Sequence, residues 1–143
     1  VTFDAFLADV GALLMGRRTH DVVAGFGEWP YGERPVLVVT HRALPPAAPT
    51  VRPVAGDIHA LVSQALSAAA GRDVYLDGGA LVRQALDAGL VDQLILTVVP
   101  TLLGDGVRLF DGLLGRHDLR FDGHHRFQHG LVQLVASPRR PHS

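Results

Sequence analysis

The chain has 143 residues, a length that fits one domain able to bury a core of its own. Hydrophobic residues make up 48% and charged ones 19%, which excludes a disordered chain, and a formal net charge of −1 leaves no global basic field for nucleic acid. Cysteine is absent, so disulfides, thiolate metal sites and thiol nucleophiles are excluded.

All 13 basic residues are Arg, so no Lys is available as Schiff base or general base. No apolar run approaches the ~20 residues that span a bilayer, and no signal peptide is visible. A cytoplasmic protein without a membrane partner is the expectation. The chain opens on Val1 within a helical pattern, and its natural start is expected to be missing.

Phe3, Phe6, Leu7 and Val10 fall at helical spacing, which predicts a helix over 2–10 ending near Gly11. Ala12-Leu13-Leu14-Met15 reads as a short buried strand closed by Gly16, and a helix resumes from Arg17 to Ala24. Residues 25–34 hold three Gly and one Pro with Trp29 and Tyr31, and read as a surface loop. Residues 35–40 form a β-branched run of the kind buried on both faces of a parallel sheet. Four prolines between Leu44 and Pro53 predict an extended connector. Asp57 is placed to cap a helix running to about Ala70.

A strand over 73–76 and a helix over 79–88, stopped by Gly89, come next. Another strand spans 92–99, ended by Pro100. Leu119, Phe121 and Phe127 alternate through a strand, with a turn near Gly130 and a return over 131–136, which predicts a C-terminal hairpin. Strands alternating with helices give an α/β domain with a mostly parallel sheet and an antiparallel hairpin. Residues 1–137 are expected to form one domain and 138–143 a loose tail.

Ligands of parallel sheets gather at the carboxyl ends of the strands. Three segments fall there: Gly16-Arg17-Arg18-Thr19, Thr40-His41-Arg42, and Asp77-Gly78-Gly79-Ala80-Leu81. Two of them open helices, whose free N–H groups and dipole favour an anion, and glycine lets a phosphate come close to the backbone. Arginine matches phosphate oxygens bidentately. A dinucleotide with a pyrophosphate and a further ribose phosphate fits this chemistry. A nucleotide monophosphate, or plain solvated arginines around tight turns, fits it too.

The four segments Leu14-Met15-Gly16-Arg17-Arg18-Thr19, Val36-Leu37-Val38-Val39-Thr40-His41-Arg42, Leu76-Asp77-Gly78-Gly79 and Leu94-Ile95-Leu96-Thr97 occur in this order. In that order they resemble the dihydrofolate reductase superfamily, most of all its branch related to the reductase domain of bacterial riboflavin biosynthesis. Pro100 to Gly106 and the final hairpin are similar to that branch as well. The resemblance covers essentially the whole chain. It implies a three-layer fold, an NADPH-dependent reductase acting on a small pterin- or pyrimidine-like heterocycle, and a homodimer.

Carried over, Gly16, Arg17, Arg18 and Thr19 would hold the pyrophosphate and adenosine side of NADPH. Thr40, His41 and Arg42 would surround the ribose and its 2′-phosphate, and Asp77, Gly78, Gly79, Ala80 and Leu81 would meet the pyrophosphate at a helix start. The branch begins with a strand ending in a Ser-Leu-Asp-Gly-like turn that lines its substrate pocket, and nothing like it precedes Val1. The resemblance thus implies that this N-terminal strand is missing here, with part of the pocket and the activity that needs it. Ordinary dihydrofolate reductases carry an acid on the helix before the Gly16-like turn. Asp4 lies on the corresponding helix at shorter spacing, where it also suits a helix start. Thr97 matches a threonine near substrate in those enzymes, although threonine in a strand is common for its shape alone.

A non-catalytic dimeric module that keeps the nucleotide crevice is the competing class. His124, His125 and His129 suggest a metal, but neighbouring strand residues point to opposite faces, and no metal site is expected. Trp29 and Tyr31 would either lid a flat substrate or anchor their loop on the core. Glu28 beside them would contact substrate or face solvent. The chain is too short for a fused deaminase and lacks its zinc signature.

Overall fold

A computed structural model describes residues 5, 7–44, 48–98, 102, 104, 110, 112–127 and 130–139. The chain divides into two compact units, Val1–Gln84 and Ala85–Ser143.

The first unit is built on a four-stranded parallel sheet: β1 Val10–Gly16, β2 Val36–Val39, β3 Val51–Val54 and β4 Asp73–Asp77, in the order β3-β2-β1-β4. Its helices are α1 Arg17–Ala24, α2 Ile58–Ala69 and the start of α3 Gly79–Asp87. Alternate residues of β1 and β2 feed two separate cores. Leu13, Met15, Val36 and Val38 pack with Val23 of α1 and with Tyr31. Leu14 and Leu37 point the other way, onto Leu61 and Ala65 of α2 and Leu81 of α3. Helices thus cover both faces, which is why the central strands read as unbroken apolar runs.

Asp57 caps α2 as its position suggests, accepting a hydrogen bond from the Ala60 N–H at 2.9 Å. The helix ends where Ala70 turns left-handed, at φ 53°.

Two sequence expectations change here. Gly11 does not end a helix. Ala5 and Leu7 are helical, but the chain is already in β1 at Val10, and the pairing with β4 shifts between Val10 and Ala12. A Cβ at Gly11 would lie 2.3 Å from the Ala69 carbonyl oxygen, so this glycine lets the end of α2 pass directly over the strand. The proline-rich connector also contains β3, which among the described residues pairs with β2 alone. Pro53 donates no bond there, and a strand at the margin of a sheet tolerates that loss.

The second unit holds a separate three-stranded antiparallel sheet of β5 Leu94–Val98, β6 Leu119–Arg126 and β7 Val132–Pro138, in the order β5-β7-β6. The C-terminal hairpin is present, its turn closed by the Phe127 N–H to the Leu131 carbonyl at 2.8 Å. The pairing shifts between Phe121 and Gly123, and Phe121 is exposed. The strand β7 extends to Pro138, paired with Leu119, one residue into the expected tail. The carboxylate of Asp87 accepts from His117 Nε2 at 2.7 Å and from the Leu114 N–H at 2.9 Å, fixing the loop before β6. No described helix is long and apolar enough to cross a membrane.

Candidate functional site

Because β1, β2 and β4 are parallel neighbours, the segments that follow them leave the sheet on one side. The contacts show how closely they meet. The guanidinium of Arg17 donates to the Thr40 hydroxyl at 3.3 Å and to the Ala43 carbonyl at 3.0 Å, tying the start of α1 to the segment after β2. A Cβ at Gly78 would lie 3.2 Å from the Thr19 hydroxyl and 3.5 Å from the Gly16 nitrogen, so the segments after β1 and β4 touch. Gly78 has φ +108°, which an L side chain rarely adopts. The three sequence-expected segments therefore form one cluster, within the first unit.

Its electrostatics favour an anion. Gly16 caps α1 in extended backbone and offers no side chain to cap it, no acidic residue stands in the first turn, and a Cβ at Gly16 would meet nothing within 4 Å among the described residues. The N–H groups of that turn thus remain available to a ligand. Arg18, His41 and Arg42 are exposed, and the Arg42 N–H donates to the Thr40 hydroxyl at 3.1 Å.

Arg17 differs from them. Its side chain also donates to both Asp21 oxygens, at 2.9 and 3.2 Å, so it shapes the cluster as well as charging it. Asp21 in turn accepts from buried His20 at 3.0 Å, and these bonds, His20 first and Arg17 second, hold its carboxyl below the usual carboxylate range.

A cleft of about 540 Å³ opens beside the cluster, lined by Arg18, Thr19, Val22, Val23, Phe26, Pro30, Tyr31, Tyr75 and Asp77. The Asp77 carboxyl sits half-buried in it, 3.5 Å from the Tyr75 hydroxyl. Burial raises its pKa, against the hydrogen bonds from the Gly78 N–H and Tyr75 that lower it. Burial and the Asp77 charge likewise push the Tyr75 phenol far up, so Tyr75 stays a neutral donor. Tyr31 belongs to the core and also lines the cleft, with Trp29 edge-on at 5.3 Å. Those two aromatics anchor the 25–34 loop, which Arg34 fastens further by donating to the Leu7 and Val10 carbonyls at 2.9 and 3.1 Å. Glu28 is exposed.

Gly79, Ala80 and Leu81 open α3 as expected, with Leu81 buried in the core. Of the weaker candidates, Asp4 lies outside the described residues, and Thr97 is in β5 of the second unit, opposite Gln133. His124 and His125 lie on exposed β6, whereas His129 is outside the described residues. Among the described residues no group of three or more His, Asp or Glu could hold a metal ion. Sequence reasoning missed Val22, Phe26 and Tyr75. Only the four-residue spacing of the first two and the strand position of the third signalled them.

Comparison with known proteins gives a consistent result. The family model described as the RibD C-terminal domain matches residues 2–133. A solved protein of Shewanella sp. PV-4, named for riboflavin biosynthesis, is 30% identical with a TM-score of 0.83, covering 96% of this chain and 79% of that one. The uncharacterized protein YyaP of Bacillus subtilis is 38% identical over 66 residues, which span 46% of this chain and 35% of YyaP. The aligned part is thus about a third of that relative's length. A deaminase/5-amino-6-(5-phosphoribosylamino)uracil reductase of Thermotoga maritima shares the fold at 14% identity and a TM-score of 0.66, covering 97% of this chain and 49% of that one.

Proposed function

The chain belongs to the RibD C-terminal domain family, and from that footing we propose that it is an NADPH-dependent reductase of a small heterocyclic substrate. The reductase fold of riboflavin biosynthesis is its architecture; the cofactor, the substrate and turnover are the proposal. The observation that carries it is the meeting of the Gly16, Thr40 and Gly78 segments at the carboxyl ends of three parallel strands.

The donor set fits the cofactor. An open helix start at Gly16 and the close-packed backbone at Gly78 suit a diphosphate, and exposed Arg42 with His41 suits the ribose 2′-phosphate that distinguishes NADPH from NADH. Bound NADPH supplies the hydride, and the protein supplies position and field. Arg18 and Thr19 belong both to the segments that would hold the cofactor and to the lining of the cleft, so the cleft adjoins the proposed cofactor site. In the floor of the cleft, the Asp77 carboxyl retains its proton to higher pH than an ordinary aspartate and can hold or deliver it to a substrate atom.

The test is steady-state NADPH oxidation with pterins, pyrimidines and quinones, alongside equilibrium titration of NADPH, NADH and AMP. Turnover together with a clear preference for NADPH supports the proposal. Tight NADPH binding without turnover reduces the protein to a nucleotide-binding module. Equal affinity for NADPH, NADH and AMP overturns the cofactor assignment.

A further inference from the structure

The guanidinium of Arg17 is engaged inside the protein. Its Nε donates to both Asp21 oxygens, at 2.9 and 3.2 Å, and its Nη1 donates to the Thr40 hydroxyl at 3.3 Å and the Ala43 carbonyl at 3.0 Å. The Thr40 hydroxyl also accepts from the Arg42 N–H at 3.1 Å, so Arg17 closes on the turn that carries Arg42. A guanidinium is a rigid planar fork, and here it clamps the start of α1 to the segment after β2.

The clamp is held from behind. Asp21 accepts from Nδ1 of His20 at 3.0 Å. The His20 side chain is 3% exposed and stands edge-on to Trp29, with ring centroids 6.4 Å apart. Its Nε2 has no hydrogen-bond partner among the described residues, so the bond to Asp21 is what this buried ring contributes. The contacts run from His20 through Asp21, Arg17 and Thr40 to the backbone of Arg42 without a break.

By charge alone a carboxylate near an anion site is unfavourable, because it repels a phosphate. The bonds from His20 and Arg17 keep the Asp21 carboxyl below the usual carboxylate range, so its charge persists at neutral pH. What Asp21 contributes in return is the fixed direction of Arg17.

Resting on the NADPH reading above, we propose that Asp21 is a positioning residue: it holds Arg17 as a strut against Thr40 and Ala43, sets the turn that presents Arg42, and thereby sets the preference for NADPH over NADH.

Three variants test this, Asp21→Ala, Asp21→Glu and Arg17→Lys, each titrated with NADPH and NADH and each compared with wild type by amide chemical shifts without ligand. Asp21→Ala removes a negative charge, yet is expected to weaken NADPH about fivefold and NADH hardly at all. Arg17→Lys keeps the positive charge and lacks the fork, and is expected to lose the same preference. The double variant Asp21→Ala with Arg17→Lys is expected to lose no more than either alone. Asp21→Glu keeps an acceptor for Arg17 and is expected to recover most of the preference. The Arg42 amide of the ligand-free protein is expected to shift in Asp21→Ala and Arg17→Lys.

Tighter NADPH binding in Asp21→Ala, equal weakening of both cofactors, or an unmoved Arg42 amide overturns the proposal. A wild type without NADPH preference, combined with a shifted Arg42 amide in Asp21→Ala, refutes the cofactor reading and upholds Asp21 as the residue that positions the turn. A wild-type preference that Asp21→Ala retains refutes the positioning role alone.

Discussion

Gly78→Ala perturbs the point where two of the three segments proposed to hold the cofactor touch. Its φ of +108° imposes strain on any L side chain, and the new methyl group would sit 3.2 Å from the Thr19 hydroxyl and 3.5 Å from the Gly16 nitrogen. Strain of this kind costs about 1–3 kcal/mol, which for a domain of this size lowers Tm by roughly 4–12 °C. Relief of the contact must move Thr19 or the Gly16 backbone by a few tenths of an ångström, away from the geometry proposed to hold a diphosphate.

NADPH affinity is therefore expected to fall about tenfold or more. Gly71→Ala provides the control. Its φ is +88°, a Cβ there meets nothing within 4 Å, and it lies before β4, at the opposite end of that strand from Gly78. Thermal melting and fluorescence titration of both variants form the assay. Gly71→Ala is expected to lose stability and keep its NADPH affinity. Equal affinity losses in the two variants, or none in Gly78→Ala, would refute the reasoning.

Arg42→Ala is expected to weaken NADPH about tenfold and NADH hardly at all, and titrations in which both weaken equally would remove Arg42 from the 2′-phosphate. Asp57→Ala deletes the cap of α2 and is expected to cost about 1 kcal/mol in denaturant melts, with NADPH affinity unchanged. Asp77→Asn is expected to lower turnover yet raise Tm near neutral pH. Burial lifts the native Asp77 pKa above its unfolded value, so its contribution to stability is full below that unfolded value and declines as pH rises through the native one. Melts across pH should show the advantage of the variant disappear in acid; a constant difference would remove the burial argument.

Much of this was legible in the sequence, for local reasons. Asp57 before an apolar-periodic stretch marks a cap, and a strand meeting Gly16 or Gly78 and then a helix marks two of the segments that the fold brings together, since a helix start and a glycine turn each leave a local signature. What was missed depended on contacts between distant segments. Gly11 looks like a helix stop until the end of α2 is seen passing over it, and β3 looks like a connector because its prolines hide a strand with a single partner. The apolar run of β5 does not reveal its direction, so its membership of a separate antiparallel sheet emerges only from its pairing with β7. The cleft was hidden for the same reason: Val22 and Phe26 come from α1 and its C-terminal turn, Tyr75 and Asp77 from β4, and only the tertiary fold brings them to one cleft.

Backbone amide chemical shifts recorded during an NADPH titration test the proposed cofactor site most directly. The largest changes are expected at Gly16 to Thr19, Thr40 to Arg42 and Gly78 to Leu81, with Gly71 and the β6–β7 hairpin unmoved. Changes concentrated in residues 119–138, with those three segments silent, would contradict it.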